Sequence, residues 1–549
     1  MKHYKITSLK HYITVLLTAF TFLTASAQKQ TMGLFVYEDN AFNGYALMSN
    51  NEITYLIDNC GLVVNTWESN YKTGHGIYIL KNGDLLRAGR LEGNFAAGGV
   101  GGIFEIFDWE GNLKWSYTIA TESEHAHHDL APLPNGNFLC TVWEKHSEAE
   151  AKEKGRKYNG DMWSTKIYEL KPIIGTNQTE VVWEWSAWDH LIQDHDSSKN
   201  NYGIIANNPE KIDINYLDAD LPSFGNWMHC NAIDYNEKFD QIVISSRFLS
   251  EIYVIDHSTT KAEAASGTGG KYGKGGDLLY RYGNPQVYDN GDENDRELRG
   301  QHDIRWIPAD HKFGGHFSVF NNEFIAGQQS RVQIFRNPAD ENGFYNFDQD
   351  LGFGDDDILY SYTNSTLHSD ILSSVQSLPN DNLLILEGRS GLAFEIDENE
   401  NIVWEYVFPV NRNGGPGIQG GTPQFNSIFK CNKYSPDYEG FFGKELIGTI
   451  PIELSPLSND CFYSSIDEKT LGIDLVNSLV QSTLFINIDI DTPAPYNLQL
   501  FNTNQQLVYK TSLSKGQNSI SLDNLNKGFY IAFISVNGNP ILIEKLIKN

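Results

Sequence analysis

The amino-acid sequence predicts an all-β protein, a six-bladed β-propeller followed by a small C-terminal β-sandwich. Two observations carry the first part. A short aromatic-ended segment recurs six times: "GLVVNTWE" (61–68), "EGNLKWSY" (110–117), "TEVVWEWS" (179–186), "GDLLYRYG" (276–283), "DDDILYSYT" (355–363) and "ENIVWEYV" (400–407). A second unit follows each copy: "HGIYILKNGDLLRAG" (75–89), "HDLAPLPNGNFLCTV" (128–142), "HCNAIDYNEKFDQIVISSR" (229–247), "HDIRWIPADH" (302–311), "SSVQSLPNDNLLILEG" (373–388) and, for the sixth, "FNSIFKCNKYSPDY" (425–438). These are strand-length apolar runs with β-branched and aromatic bias, and Asn-Gly or Asn-Asp marks several hairpin turns. Repeats of ~40–50 residues holding about four strands each are the pattern of a propeller. A third observation agrees: no 12-residue window keeps a 3.6-residue apolar stripe with caps, so long helices are not expected.

Taken in order, the chain opens with Lys2, Lys5 and Lys10, the apolar run "YITVLLTAFTFL" and Ala25-Ser26-Ala27. That is the pattern of a signal peptide over residues 1–27. No later segment reaches the ~18 consecutive apolar residues of a spanning helix, so no transmembrane helix is expected after signal removal. Residues 28–440 hold the repeats. Residues 441–475, including "IPIELSPLSNDC", read as a linker. From 476 to 549 the pattern changes to alternating strands with the spacing of a β-sandwich.

Charge narrows the function. The net charge is −29, and loss of three signal-peptide lysines takes it to about −32. Such a chain does not bind nucleic acid or an anionic membrane non-specifically. Any anion site must be built from local cations. The five cysteines include no C-x-x-C, and their odd number leaves at least one thiol unpaired.

The segment "ESEHAHHDLAPLPNGNFLC" (122–140) crowds His125, His127 and His128 ahead of a strand. Register relates these to the other repeats. His75, His128 and His229 each stand seven residues before the Asn of a turn; His302 stands six before Pro308, as His128 stands six before Pro134. The fifth copy has Ser373 there. The innermost strands of a propeller line its channel, so residues at equivalent positions converge. A ring of His75, His128, His229 and His302 has three possible uses: metal capture, a nucleophilic imidazole, or hydrogen-bonded channel filling. Asn231, two residues after His229, shares its strand face by alternation, and Arg247 returns beside it across a hairpin. Asn and Arg are poor partners for a metal dication and good ones for an anion with several oxygens. The set reads as a sulfate or phosphate cradle, with no metal.

The stretches "GYALMSNNEITYLIDNCGLVVNTWES", "NWMHCNAIDY…VISSRFLS", "GQHDIRWIP" and "FKCNKYSPDY" resemble arylsulfate sulfotransferases that need no nucleotide sulfate donor. The similarity covers roughly residues 33–440. It implies a six-bladed propeller that moves a sulfuryl group from an aryl sulfate donor to a phenolic acceptor through a sulfated histidine. By the same resemblance His302 is the sulfated residue and His128 the acid/base, with His127 as the alternative. His229, Asn231 and Arg247 match the sulfate-holding residues. No cofactor is implied, and the absence of a G-x-x-x-x-G-K-[ST] loop agrees with a reaction lacking a nucleotide donor. Two other classes stay open, a non-catalytic propeller binding an anionic or aromatic ligand or glycan and a metal-dependent propeller hydrolase.

Other features read more plainly. "DNGDEND" (289–295) reads as a solvated acidic turn rather than a calcium loop. The glycine clusters "AAGGVGG" and "SGTGGKYGKGG" read as turns. His75 reads as channel lining, His125 as loop surface, and Arg389 as a rim residue or a surface ion pair. The C-terminal stretch resembles the sorting domain of the type IX secretion pathway, chiefly through "LDNLNKGFYIAFIS" and the basic end "EKLIKN". That resemblance implies the type IX machinery as a partner and an extracellular or cell-surface location.

Overall fold

The computed structural model describes residues 29–93, 95, 97–217, 225–348, 352–353, 357–457, 461, 473–475, 479–488, 496–502, 506–536 and 539–549. The expected signal peptide lies outside them. Six antiparallel sheets of four or five strands succeed one another along the chain. Their inner strands are Asn432–Tyr434, Thr73–Ile79, Glu124–Pro132, Cys230–Asn236, His302–Trp306 and Ser374–Ser377. Their fourth strands are Val63–Glu68, Leu113–Thr118, Gln178–Ser186, Tyr280–Tyr282, Ile358–Tyr362 and Ile402–Val407. Every copy of the aromatic repeat is therefore a fourth strand. The architecture is that of a β-propeller, and among the described residues its helices are short turns such as Glu148–Glu153, closed by a Ser147 capping box.

The repeated tryptophans have a job at this edge. The indole N–H of Trp67 donates to Asp108 O, that of Trp115 to Gln178 O and that of Trp183 to the Thr259 hydroxyl, each in the next sheet. Trp404 of the sixth sheet donates to Asn59 O of the first at 2.8 Å, which carries the pattern around the ring. A buried Trp combines a large apolar payload with one donor that needs a partner, so the repeat both fills and registers the gap between sheets. The cores are layers between adjacent sheets; one packs Leu139 and Ile167 against Ile242 and Ile244.

Both ends of the ring are interlocked. The inner strand of the first sheet comes from Asn432–Tyr434, while Gly33–Tyr37 adds a fifth strand to the outer edge of the sixth. Residues 441–454, expected to open a linker, instead pack back on the first sheet. Thr449 N donates to Val63 O, Val63 N donates to Ile450 O, and Ile452 is fully buried. A disulfide joins Cys60 to Cys461, and Cys140, Cys230 and Cys431 are free and buried. The C-terminal strands form a three-stranded and a five-stranded sheet around Leu484, Ile486, Leu498, Ile534 and Leu546, a β-sandwich.

Candidate active site

The histidines owe their placement to irregular backbone. Ladders shift register beside His75, His128, Asn231 and His302. His75, His128, His229 and Ser373, the register-equivalent residues, have φ of 95°, 49°, 51° and 88°. In the fifth sheet Asp303 takes the left-handed angle instead, at 56°. Non-glycine residues seldom adopt such angles, which cost ~1–3 kcal/mol each. Here the bulges turn consecutive side chains out of strict alternation.

The rings of His128 and His229 are 4.6 Å apart, and those of His75 and His128 are 6.0 Å apart and stacked. His302 acts electrostatically on both His128 and His229, and Arg247 acts on His229 and His302, so the five form one cluster. Phe429 packs against His75 at 4.9 Å, and Phe248 against His229 at 4.6 Å. These phenyl rings give the cluster apolar walls. A Cβ at Gly99 (φ 83°) would collide with the His128 ring, so only glycine lets the "AAGGVGG" loop lie there.

Tautomers follow from the partners. Asn322 spends its Nδ2 on the Ser369 and Leu372 carbonyls, at 2.8 and 2.9 Å, so its Oδ1 is the acceptor facing His302. His302 Nδ1 donates to that oxygen at 2.7 Å, which leaves the ring's lone pair on Nε2. Asn226 Nδ2 donates to His229 Nδ1 at 2.6 Å, leaving His229 with an Nε2–H. Burial first, and then the Arg247 charge, lowers the His302 pKa to about 3 and pushes His229 well below its usual range. Burial and the surrounding imidazoles do the same to His128. All are neutral at physiological pH. Arg247 donates through Nη2 to Asp370 O at 3.1 Å, while its Nε is buried and without a hydrogen-bond partner among the described residues.

Other expected residues sit differently. Asn231 is in the bulge rather than in alternation with His229, and its Nδ2 donates to Gln301 O at 2.7 Å, holding the backbone just before His302. His127 stacks on Trp143 at 4.3 Å and meets His128 Nδ1 to Nδ1 at 2.9 Å. His125 is not loop surface: it is buried, with Nε2 3.3 Å from Gly101 O. Arg389 pairs with the Asp370 carboxylate at 2.7 Å, whose own carbonyl holds Arg247. In 289–295, Glu293 pairs with Arg296 and Arg299 and accepts from Gln286. Among the described residues no group of three or more His, Cys, Asp or Glu is arranged to hold a metal ion.

A family model described as Arylsulfotransferase (ASST) matches residues 21–413. The chain belongs to the arylsulfotransferase family. A second model, Secretion system C-terminal sorting domain, matches residues 480–549, and marks the protein for secretion to the cell surface or beyond. No curated protein matches the chain in sequence. Similar solved structures include a periplasmic gluconolactonase from Pseudomonas aeruginosa, 10% identical over 71% of this chain and 99% of that one, TM-score 0.36. A virginiamycin B lyase from Staphylococcus aureus is 10% identical over 71% and 92%, TM-score 0.31. A protein of unknown function from Bacteroides caccae is 11% identical over 66% and 94%, TM-score 0.36.

Beside its histidines the arylsulfotransferase domain carries a buried charge network that sequence reasoning missed. Lys430 Nζ lies 2.6 Å from Asp129, 3.0 Å from Asp303 and 2.8 Å from the Tyr78 hydroxyl. Asp303 also accepts from Arg305 Nε at 2.8 Å and from Val375 N at 2.9 Å, and Asp234 accepts from Trp306 N at 2.8 Å. Each of these carboxylates follows an inner-strand residue of one sheet and binds a neighbouring sheet, so the network fixes the spacing of the histidines. Its sequence signal was the dipeptide His-Asp, present at both 128–129 and 302–303. Asn322 had a fainter one, the doubled Asn of "VFNNEF" inside a strand where Asn is disfavoured.

Proposed function

We propose that this arylsulfotransferase takes a sulfuryl group from a phenolic sulfate ester onto His302 and passes it to a phenol, with no nucleotide donor. The observation that carries the reading is the neutral His302 ring, its Nδ1–H tied to Asn322 and its lone pair on Nε2, within the field of Arg247. A neutral imidazole nitrogen is both a competent nucleophile and a good leaving group. Sulfuryl transfer spreads charge over three oxygens and is catalysed chiefly by positioning and fixed charge. The Arg247 guanidinium and the His229 Nε2–H are donors for those oxygens, and Phe248 and Phe429 suit the aryl ring.

In the first half-reaction the Nε2 lone pair attacks sulfur and the aryl S–O bond breaks. The departing oxygen leaves as a phenolate and takes its proton from solvent, because the resting His128 is a neutral ring. In the second, the acceptor hydroxyl gives its proton to the His128 lone pair as its oxygen attacks sulfur, the N–S bond breaks with its electrons returning to His302, and His128 releases that proton to solvent. Residues 1–27 would direct export ahead of the sorting domain. The test is acid quenching after a chromogenic aryl sulfate is added without acceptor. A sulfated peptide containing His302 is expected, and His302→Ala should abolish both that peptide and turnover. Ordinary rates in His302→Ala would refute the nucleophile assignment.

A further inference from the structure

We propose that Gly98 determines access to the histidine cluster, a position left without a side chain so that an aryl sulfate can pass to His229 and His302. This rests on the sulfuryl-transfer reading for the identity of what passes. Residues 97–102 run as a strap along the strand that carries His125, His127 and His128. His128 N donates to Gly99 O at 2.8 Å, and Gly101 N donates to Ala126 O at 3.0 Å. Three glycines of the strap are required by this close approach. An added Cβ would strike the His128 ring at Gly99 (φ 83°), Ala126 O at 2.9 Å at Gly101, and His125 Nε2 at 2.9 Å at Gly102 (φ 121°). A side chain at any of them would push the strap off the strand.

Gly98 is under no such constraint. Its φ is not positive, and among the described residues a Cβ there would meet one atom within 4 Å, His229 Cε1, at 4.0 Å. That is ordinary van der Waals contact, so the backbone at 98 would accept an L side chain. The reason for glycine then lies in the space the side chain would occupy. Gly98 is exposed, whereas His128, His229 and His302 are 3%, 7% and 3% exposed. A side chain at 98 would therefore start in solvent and point at the edge of a buried imidazole. In that ring Cε1 stands between Nδ1, which is tied to Asn226, and the Nε2–H that is a donor for sulfate oxygens. The open space bordering Gly98 is the approach to this donor. Filling it would put carbon where the ester must travel, with no disturbance of the strap.

An introduced thiol tests this within one folded protein. Cys140, Cys230 and Cys431 are buried and the other two cysteines are bonded to each other, so in Gly98→Cys the new thiol is the one that a methanethiosulfonate reagent reaches. Gly98→Cys should melt with the wild type and turn over 4-nitrophenyl sulfate within several-fold of it. Capping that thiol with a methyl group, and in a separate sample with a benzyl group, should lower kcat/KM stepwise, by ~10²-fold for benzyl. The same reagents should leave the wild type unaffected, and 4-nitrophenyl sulfate should slow the capping. Unchanged turnover after benzyl capping would overturn the proposal, because the approach then runs elsewhere. A thiol that does not react, or a Gly98→Cys protein that melts well below the wild type, would overturn it too, because the space is then absent. A wild type that turns over no aryl sulfate, beside a thiol that 4-nitrophenyl sulfate still shields, would sink the sulfuryl-transfer reading alone; without the shielding, both would fall.

Discussion

Arg247 is the cation that acts on both His229 and His302, and its coordination is incomplete. A guanidinium has five donors in a fixed fork; here Nη2 is satisfied by Asp370 O and Nε is buried without a hydrogen-bond partner among the described residues. Leaving a buried charged donor unmade costs more than the ~1–3 kcal/mol of a neutral one, a debt that a bound sulfate oxygen would settle. Arg247→Lys should therefore lower kcat/KM for an aryl sulfate ~10²-fold or more, because an ammonium cannot grip two oxygens in a plane; wild-type kinetics would count against the cradle. The pH dependence follows from the same field. His302 is depressed from its usual 6.5 to about 3 by burial and by Arg247, so it is deprotonated, and nucleophilic, at every pH above that value. Formation of the sulfated enzyme in a single turnover should stay level as pH falls from 7 to about 5. A drop centred near 6.5 would mean an ordinary, solvated imidazole. Folding carries the opposite sign. Below 6.5 the unfolded histidine binds a proton that the folded one refuses, so stability falls as the solution is acidified toward the folded pKa.

At the level of elements, the strands that carry local chemistry were legible and the irregular joints were not. Turn dipeptides and an aromatic fourth strand announce themselves in sequence, and all six aromatic copies fall on fourth strands. The bulges do not, because nothing marks a histidine for a left-handed φ. Period-two reasoning consequently put Asn231 on the face of His229, where the structure gives it to Gln301 O. It was equally blind to His127 and His128 facing one another. The Lys430 network joins side chains up to 352 residues apart, a distance over which sequence pattern carries no signal. The tryptophan edge lends itself to experiment. Trp404→Phe keeps most of the apolar burial and deletes the 2.8 Å bond to Asn59 O that links the sixth sheet to the first. The orphaned carbonyl and the smaller ring together should cost about 1–3 kcal/mol. Chemical denaturation would show this as a lowered midpoint with an unchanged slope. No shift in midpoint would mean the ring closes without that contact.

The whole molecule must keep a closed ring while carrying a sorting domain at its end. Residues 441–454 form the last belt of the ring: Ile450 and Ile452 are buried, Leu454 N donates to Gly417 O, and Gln419 N donates to Leu454 O. Seven residues later Cys461 is bonded to Cys60, at the turn that also receives the Trp404 indole through Asn59. The belt is thus held at both ends before the chain reaches the sandwich. A crosslink between residues 401 apart restricts the unfolded chain strongly, and native disulfides typically contribute about 2–4 kcal/mol. Two truncated chains and three cysteine variants separate belt from staple. One ending at residue 461 should keep the full-length enzyme's melting temperature for the propeller and its turnover. One ending at 440 should melt markedly lower, because it strips the cover from Val63 and its neighbours. Cys60→Ser, Cys461→Ser and the double variant should all be lowered by the same amount, since each deletes one shared bond. Treating the wild type with a thiol reductant should reproduce that drop, and a melting temperature indifferent to reductant would show that the belt holds the ring unaided.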